Sequence, residues 1–107
     1  MFNFERCENV SGTCLQGYVH AKYSELVHAF GRPDWISHRP DEKVTHEWML
    51  EFTDAAGEQV RVTIYDWKFY DGGATVRTDE KIRWNIGGDS QRATWFVESA
   101  MRRGGNA

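Results

Sequence analysis

Gly87-Gly88-Asp89-Ser90 is the sharpest local chemical signal in the chain. Two glycines let a backbone approach a ligand closely, and a helix starting just after them would offer unpaired N–H groups. Together these features can hold a phosphate. The same residues also suit a tight turn in which Asp89 or Ser90 caps the helix, and the Asp89 charge opposes an anion. Tyr65, Trp67 and Lys68 end one expected strand, while Arg83 and Asn85 lie near the end of another. If those strands are neighbours, the rings could stack on bases while Lys68, Arg83 and Arg92 meet phosphates. The other option is that Tyr65 and Trp67 complete a second small core or a dimer interface, where aromatics are favoured.

Residue chemistry does not point to catalysis. No Ser, Cys or Asp sits in a nucleophile elbow or comparable motif. Asp66 and Asp71 could form an acid–base pair, yet no spacing selects them, so the expectation is a protein that is not an enzyme. His20, His28, His38 and His46 fall on different elements without ligand-like spacing, and His46 is expected to be a hydrogen-bonded residue beside the core. Cys7 and Cys14 are separated by six residues, which matches no standard zinc spacing. No metal and no cofactor are expected.

The bulk properties narrow the class. At 107 residues the chain has the size of one domain, 1–107, and can bury a core without staples. Five Trp, six Phe and four Tyr argue against disorder beyond the ends. A net charge of −3 and a pI of about 5.8 leave no overall basic field for duplex nucleic acid. No apolar run approaches a membrane span, and MFNFERCENV does not read as a signal peptide. The expectation is a cytoplasmic protein with reduced thiols.

Periodicity places the elements that would carry these residues. Val60, Val62 and Ile64 alternate with Arg61, Thr63, Tyr65 and Trp67, which marks 60–68 as the clearest strand. Residues 43–53 alternate as well, and Asp54–Glu58 reads as the hairpin loop between the two. Further strands are expected over 15–20 and 81–86, while Phe2 and Phe4 leave open a first edge strand. Tyr23, Leu26, Val27 and Phe30 form one helical stripe, with Gly31 placed for a left-handed cap and Pro33 barring continuation. Residues 31–42 read as a loop pinned to the core by Trp35 and Ile36, and 69–80 as a long second loop. Ala93, Phe96, Val97, Ala100 and Met101 form a final helical stripe, with Arg102 and Arg103 complementing its dipole. The predicted fold is α+β: a small antiparallel sheet of about four strands with two helices packed on one face.

Four segments in series carry a family resemblance: YSELVHAFGRP (23–33), HEWMLEF (46–52), VTIYDWK (62–68) and WNIGGDS (84–90). They resemble a widespread group of small phage-encoded proteins, with the match spanning most of Tyr23 to Met101. Where similar proteins carry His after the second Trp of the pattern, this chain carries Asn85. The resemblance implies an accessory counter-defence role in the host cytoplasm, similar to viral sponge proteins that bind cyclic oligonucleotide immune signals. It implies a homo-oligomer holding the ligand through Tyr65, Trp67, Lys68, Arg83, Asn85, Gly87, Gly88, Ser90 and Arg92. The competing expectation is a protein-binding inhibitor of a host defence complex, such as a CRISPR effector or nuclease, using Asp41, Glu42, Glu47, Glu51 and exposed Trp anchors.

Overall fold

The computed structural model describes residues 1–37, 44–67 and 79–105. Within them the order is β1 (Phe2–Arg6), β2 (Cys14–Ala21), α1 (Tyr23–Phe30), β3 (Trp35–Ile36), β4 (His46–Asp54), β5 (Gln59–Tyr65), β6 (Ile82–Gly88) and α2 (Arg92–Arg103). The strands form one antiparallel sheet in the order β1-β4-β5-β6-β2, and β3 pairs with the start of β4 on the edge that β1 also uses. The α+β class holds, but the sheet has six strands rather than four. The two additions are β1 and the two-residue β3, which forms inside the proline-bearing loop.

Alternation decides which side of the sheet is covered. Trp48, Leu50 and Phe52 of β4, Val62 and Ile64 of β5, and Trp84 and Ile86 of β6 are fully buried with Leu26 of α1 and Phe96 of α2. Phe52 stacks on Phe96 at 4.9 Å between ring centres, and Trp84 meets Trp48 edge-on at 5.5 Å. A buried indole keeps a polar N–H that needs an acceptor. Trp48 Nε1 donates to the Gly31 carbonyl at 2.8 Å, and Trp84 Nε1 to the Ala21 carbonyl at 3.0 Å. Each indole therefore fastens a backbone segment flanking α1 to the core.

Three local expectations change. Gly31 has φ +81°, but its ψ of −162° leads the chain out extended rather than into a left-handed helical cap. Trp35 does not pin its loop to the core: it is exposed and pairs with Glu47 on the helix-free side of the sheet. That loop is held instead by Asp34, which accepts from Arg6 Nη1 at 2.8 Å and from the Met49 N–H at 2.7 Å. Finally, Gly87 and Gly88 do not form a turn before a helix. Both lie inside β6, with β5 on one side and β2 on the other.

Gly88 is there for space. It lies on the covered side, where a Cβ would come within 2.5 Å of Ala93 Cβ and 2.9 Å of the Arg61 carbonyl oxygen. Glycine thus lets the first turn of α2 lie directly on the sheet, and neither neighbour can yield by a simple rotamer change. Gly88→Ala is expected to lower unfolding free energy by about 3 kcal/mol, read as a lower urea midpoint at unchanged m-value.

Candidate functional site

Opposite the helices, the register aligns one row of side chains across five strands. Trp35, Glu47, Tyr65, Asn85 and Tyr18 are successive cross-strand partners on β3, β4, β5, β6 and β2. At the usual strand spacing the row spans roughly 19 Å. Met49, Thr63, Gly87 and Leu15 form the next row. Tyr18 and Trp67 are each 42 % exposed, whereas Asn85, between the two tyrosines, is 8 % exposed. The amide therefore lies on the floor of an aromatic-lined strip.

Ring geometry and missing side chains shape this strip. Trp67 lies edge-on to Tyr65, with ring centres 6.4 Å apart. A Cβ on Gly87 would come within 2.8 Å of Thr63 Cγ2 and make only ordinary contact, at 3.7 Å, with Tyr65 Cε1, so glycine here makes room for the Thr63 side chain. Arg83 holds its guanidinium 4.2 Å from the centre of the Tyr18 ring, a cation–π contact that keeps the charge on this face. Thr63 Oγ1 donates to Glu47 at 2.6 Å. Arg61, also on this face, is committed to Asp89 through contacts of 2.7 to 3.2 Å. Hydrogen bonds from the Arg61 side chain, with help from its backbone N–H, hold the Asp89 carboxyl below its ordinary value.

The structure brings together Tyr65, Trp67, Arg83, Asn85 and Gly87 of the expected ligand set. Lys68 lies outside the described residues, as do His38, Asp41, Glu42 and Asp71. Gly88, Ser90 and Arg92 belong elsewhere, on the covered side or at the start of α2. The guanidinium of Arg92 is held 2.9 Å from both Asp54 and Glu58 and lies over the Phe96 ring. Ser90 Oγ accepts the Arg92 N–H at 3.3 Å. Strands flank both glycines, so their backbone groups serve the ladder rather than an anion. The phosphate cradle read from Gly87–Ser90 is therefore not formed in this chain.

Sequence reasoning missed Tyr18, because a bulge between Leu15 and Gly17 shifts the phase of β2. It also missed the role of Asp66. The carboxylate is 3 % exposed and accepts the Thr45 N–H at 2.8 Å, the His46 N–H at 2.9 Å and the Thr45 hydroxyl, with His46 Nδ1 at 3.2 Å. Burial alone pushes its pKa up, but these contacts outweigh that cost and hold the pKa below its usual value. Asp66 falls in phase with Val60, Val62 and Ile64, a polar group at a core position, and that phase is the signal that marks it. Its inward turn sends Tyr65 and Trp67 outward on either side.

Among the described residues, no group of three or more His, Cys, Asp or Glu is placed to hold a metal. No described helix is long and apolar enough to cross a membrane. No protein-family model matches the chain, and no curated protein matches it.

A carboxylate whose folded pKa is depressed stabilises the fold above its unfolded pKa, near 4, and loses that contribution as pH falls through the lower folded value. Asp66→Asn is expected to cost about 2–4 kcal/mol at pH 7, because buried donors lose a charged acceptor. The gap to the parent protein should narrow as pH drops below about 4. Urea titrations of both proteins from pH 7 to pH 2.5 measure it.

Proposed function

We propose that this chain is a non-catalytic phage counter-defence protein that sequesters cyclic oligonucleotide immune signals in the host cytoplasm. The observation that carries the reading is the cross-strand trio Tyr65, Asn85 and Tyr18, an exposed and a partly buried phenol ring flanking a recessed amide. Such rings offer stacking surfaces that accept any base. A carboxamide presents a donor and an acceptor side by side, the pair that an adenine edge requires. Trp67 extends the stacking surface, and Arg83 supplies positive charge beside it for phosphate. The motifs VTIYDWK and WNIGGDS, which carry the phage resemblance, encode the two strands that hold most of this set. Sequestration requires a site that binds its ligand and leaves every bond intact.

A second reading rests on the same face. Trp35, Trp67, Tyr18 and Leu15 are exposed large hydrophobics, and Glu47 and Glu51 lie among them or beside them. Exposed aromatics interspersed with carboxylates would also suit a protein partner, such as a host defence complex.

Calorimetry against a panel of cyclic dinucleotides and trinucleotides separates the readings. Heat is expected with at least one member, and Trp67→Ala and Asn85→Ala should each weaken that binding about 10- to 100-fold, the scale of one lost stacking or base-edge contact. Arg92→Ala should leave it unchanged. Absence of heat across the panel, together with a stoichiometric protein partner in a host-lysate pull-down, would establish the protein-inhibitor reading instead.

A further inference from the structure

Aromatic and polar side chains alternate along the row that crosses the helix-free face. Trp35, Glu47, Tyr65, Asn85 and Tyr18 follow one another from β3 to β2. The central Tyr65 thus has one polar neighbour on each side, and each of those has an aromatic beyond it. The two polar groups differ in kind: a carboxamide offers a donor and an acceptor, whereas a carboxylate only accepts. Asn85 is 8 % exposed, yet its amide has no hydrogen-bond partner among the described residues. Thr94 Oγ1 is the one described side-chain N or O atom both sealed and unpartnered, so the Asn85 amide is recessed but still open to the strip. Glu47 takes the Thr63 hydroxyl on Oε2 at 2.6 Å and no other described side-chain donor. Each carboxylate oxygen can accept more than once, so both oxygens of Glu47 can still meet a pair of donors.

We propose that Glu47 makes this face guanine-selective: of the two bases of a bound cyclic dinucleotide, the one on the Glu47 side of Tyr65 is guanine. The proposal rests on the sequestration reading and names the ligand class for the same face. Neighbouring strands lie about 4.8 Å apart, and packed aromatic rings lie roughly 4.5–7 Å apart between centres. Bases stacked on the two sides of the Tyr65 ring therefore lie above Glu47 on one side and Asn85 on the other. A carboxamide can turn to meet the edge of either purine, so selection falls to Glu47. Guanine presents N1–H and its N2 amine side by side, two donors for two carboxylate oxygens. Adenine offers one amine beside a bare ring nitrogen, which would face an oxygen with no proton to give. Neither cytosine nor uracil presents two adjacent donors. A site built around such a pair rejects the base that leaves it half unmet.

Calorimetry with cyclic dinucleotides carrying two adenines, two guanines or one of each tests the assignment. The two guanine-bearing ligands should bind at least about 10-fold more tightly than the two-adenine ligand, the scale of one bidentate base contact. Glu47→Gln keeps an acceptor for the Thr63 hydroxyl and adds a donor, so it should close that gap, weakening the guanine ligands and strengthening the two-adenine one. A ligand-side change reads the same contact in the unsubstituted protein. Hypoxanthine in place of guanine in the mixed ligand removes the N2 amine and should weaken binding about 10-fold. Equal affinity for all three ligands, a preference for two adenines, or indifference to the N2 amine would overturn guanine selection and leave sequestration standing. A Glu47→Gln loss equal across the three ligands would overturn it too, because Glu47 would then act through the fold. Binding confined to cyclic trinucleotides would have the same consequence, whereas no heat with any cyclic oligonucleotide would overturn both readings.

Discussion

The Asp66 carboxylate sits on the covered side of the sheet and takes hydrogen bonds from the N–H groups of Thr45 and His46, 21 and 20 residues earlier in the chain. Thr45 precedes β4 and His46 opens it, and Asp66 directly follows β5. The contact therefore closes the central hairpin at its open end, opposite the Asp54–Glu58 turn. A buried carboxylate is costly unless its lone pairs are satisfied. Here backbone and side-chain donors converge on it from one short segment, which allows few alternative registers. The pairing of Glu47 with Tyr65 follows, and with it the whole row that crosses the helix-free face.

The two sides of the sheet use aromatics for different ends. Trp48 and Trp84 are wholly buried, and each spends its indole N–H on a backbone carbonyl next to α1. Trp35, Trp67 and Tyr18 stand on the other side with a large part of their surface in water. The buried core is built from other side chains, while Trp67 lies edge-on to Tyr65 and Tyr18 carries the Arg83 guanidinium on the helix-free face. The cations differ as well: Arg92 is neutralised by Asp54 and Glu58 and Arg61 by Asp89, while Arg83 lies above the Tyr18 ring on the open face.

Much of this was legible in the alternation of Val60, Val62 and Ile64 and of Trp48, Leu50 and Phe52, because a period of two leaves one interpretation of each face. The helical stripes of α1 and α2 were equally clear. The double glycine was not. A Gly-Gly pair before a helix reads as a turn, and only the paired strands on both sides reveal that it makes room, one residue for Ala93 and the other for the Thr63 side chain. Tyr18 was hidden by the β2 bulge, and Trp35 by a strand too short to show any period. Asp66 was visible as a polar residue at a core position, but its partners Thr45 and His46 become evident only once β4 and β5 are paired.

The central claim is that a pinned hairpin keeps one aromatic face sealed and the other accessible. Hydroxyl-radical footprinting of the native protein, read by mass spectrometry at single tryptophans, tests it most directly. Trp35 and Trp67 should oxidise rapidly while Trp48 and Trp84 stay protected until the protein unfolds. Protection of Trp67 equal to that of Trp48 in the isolated chain would contradict the account.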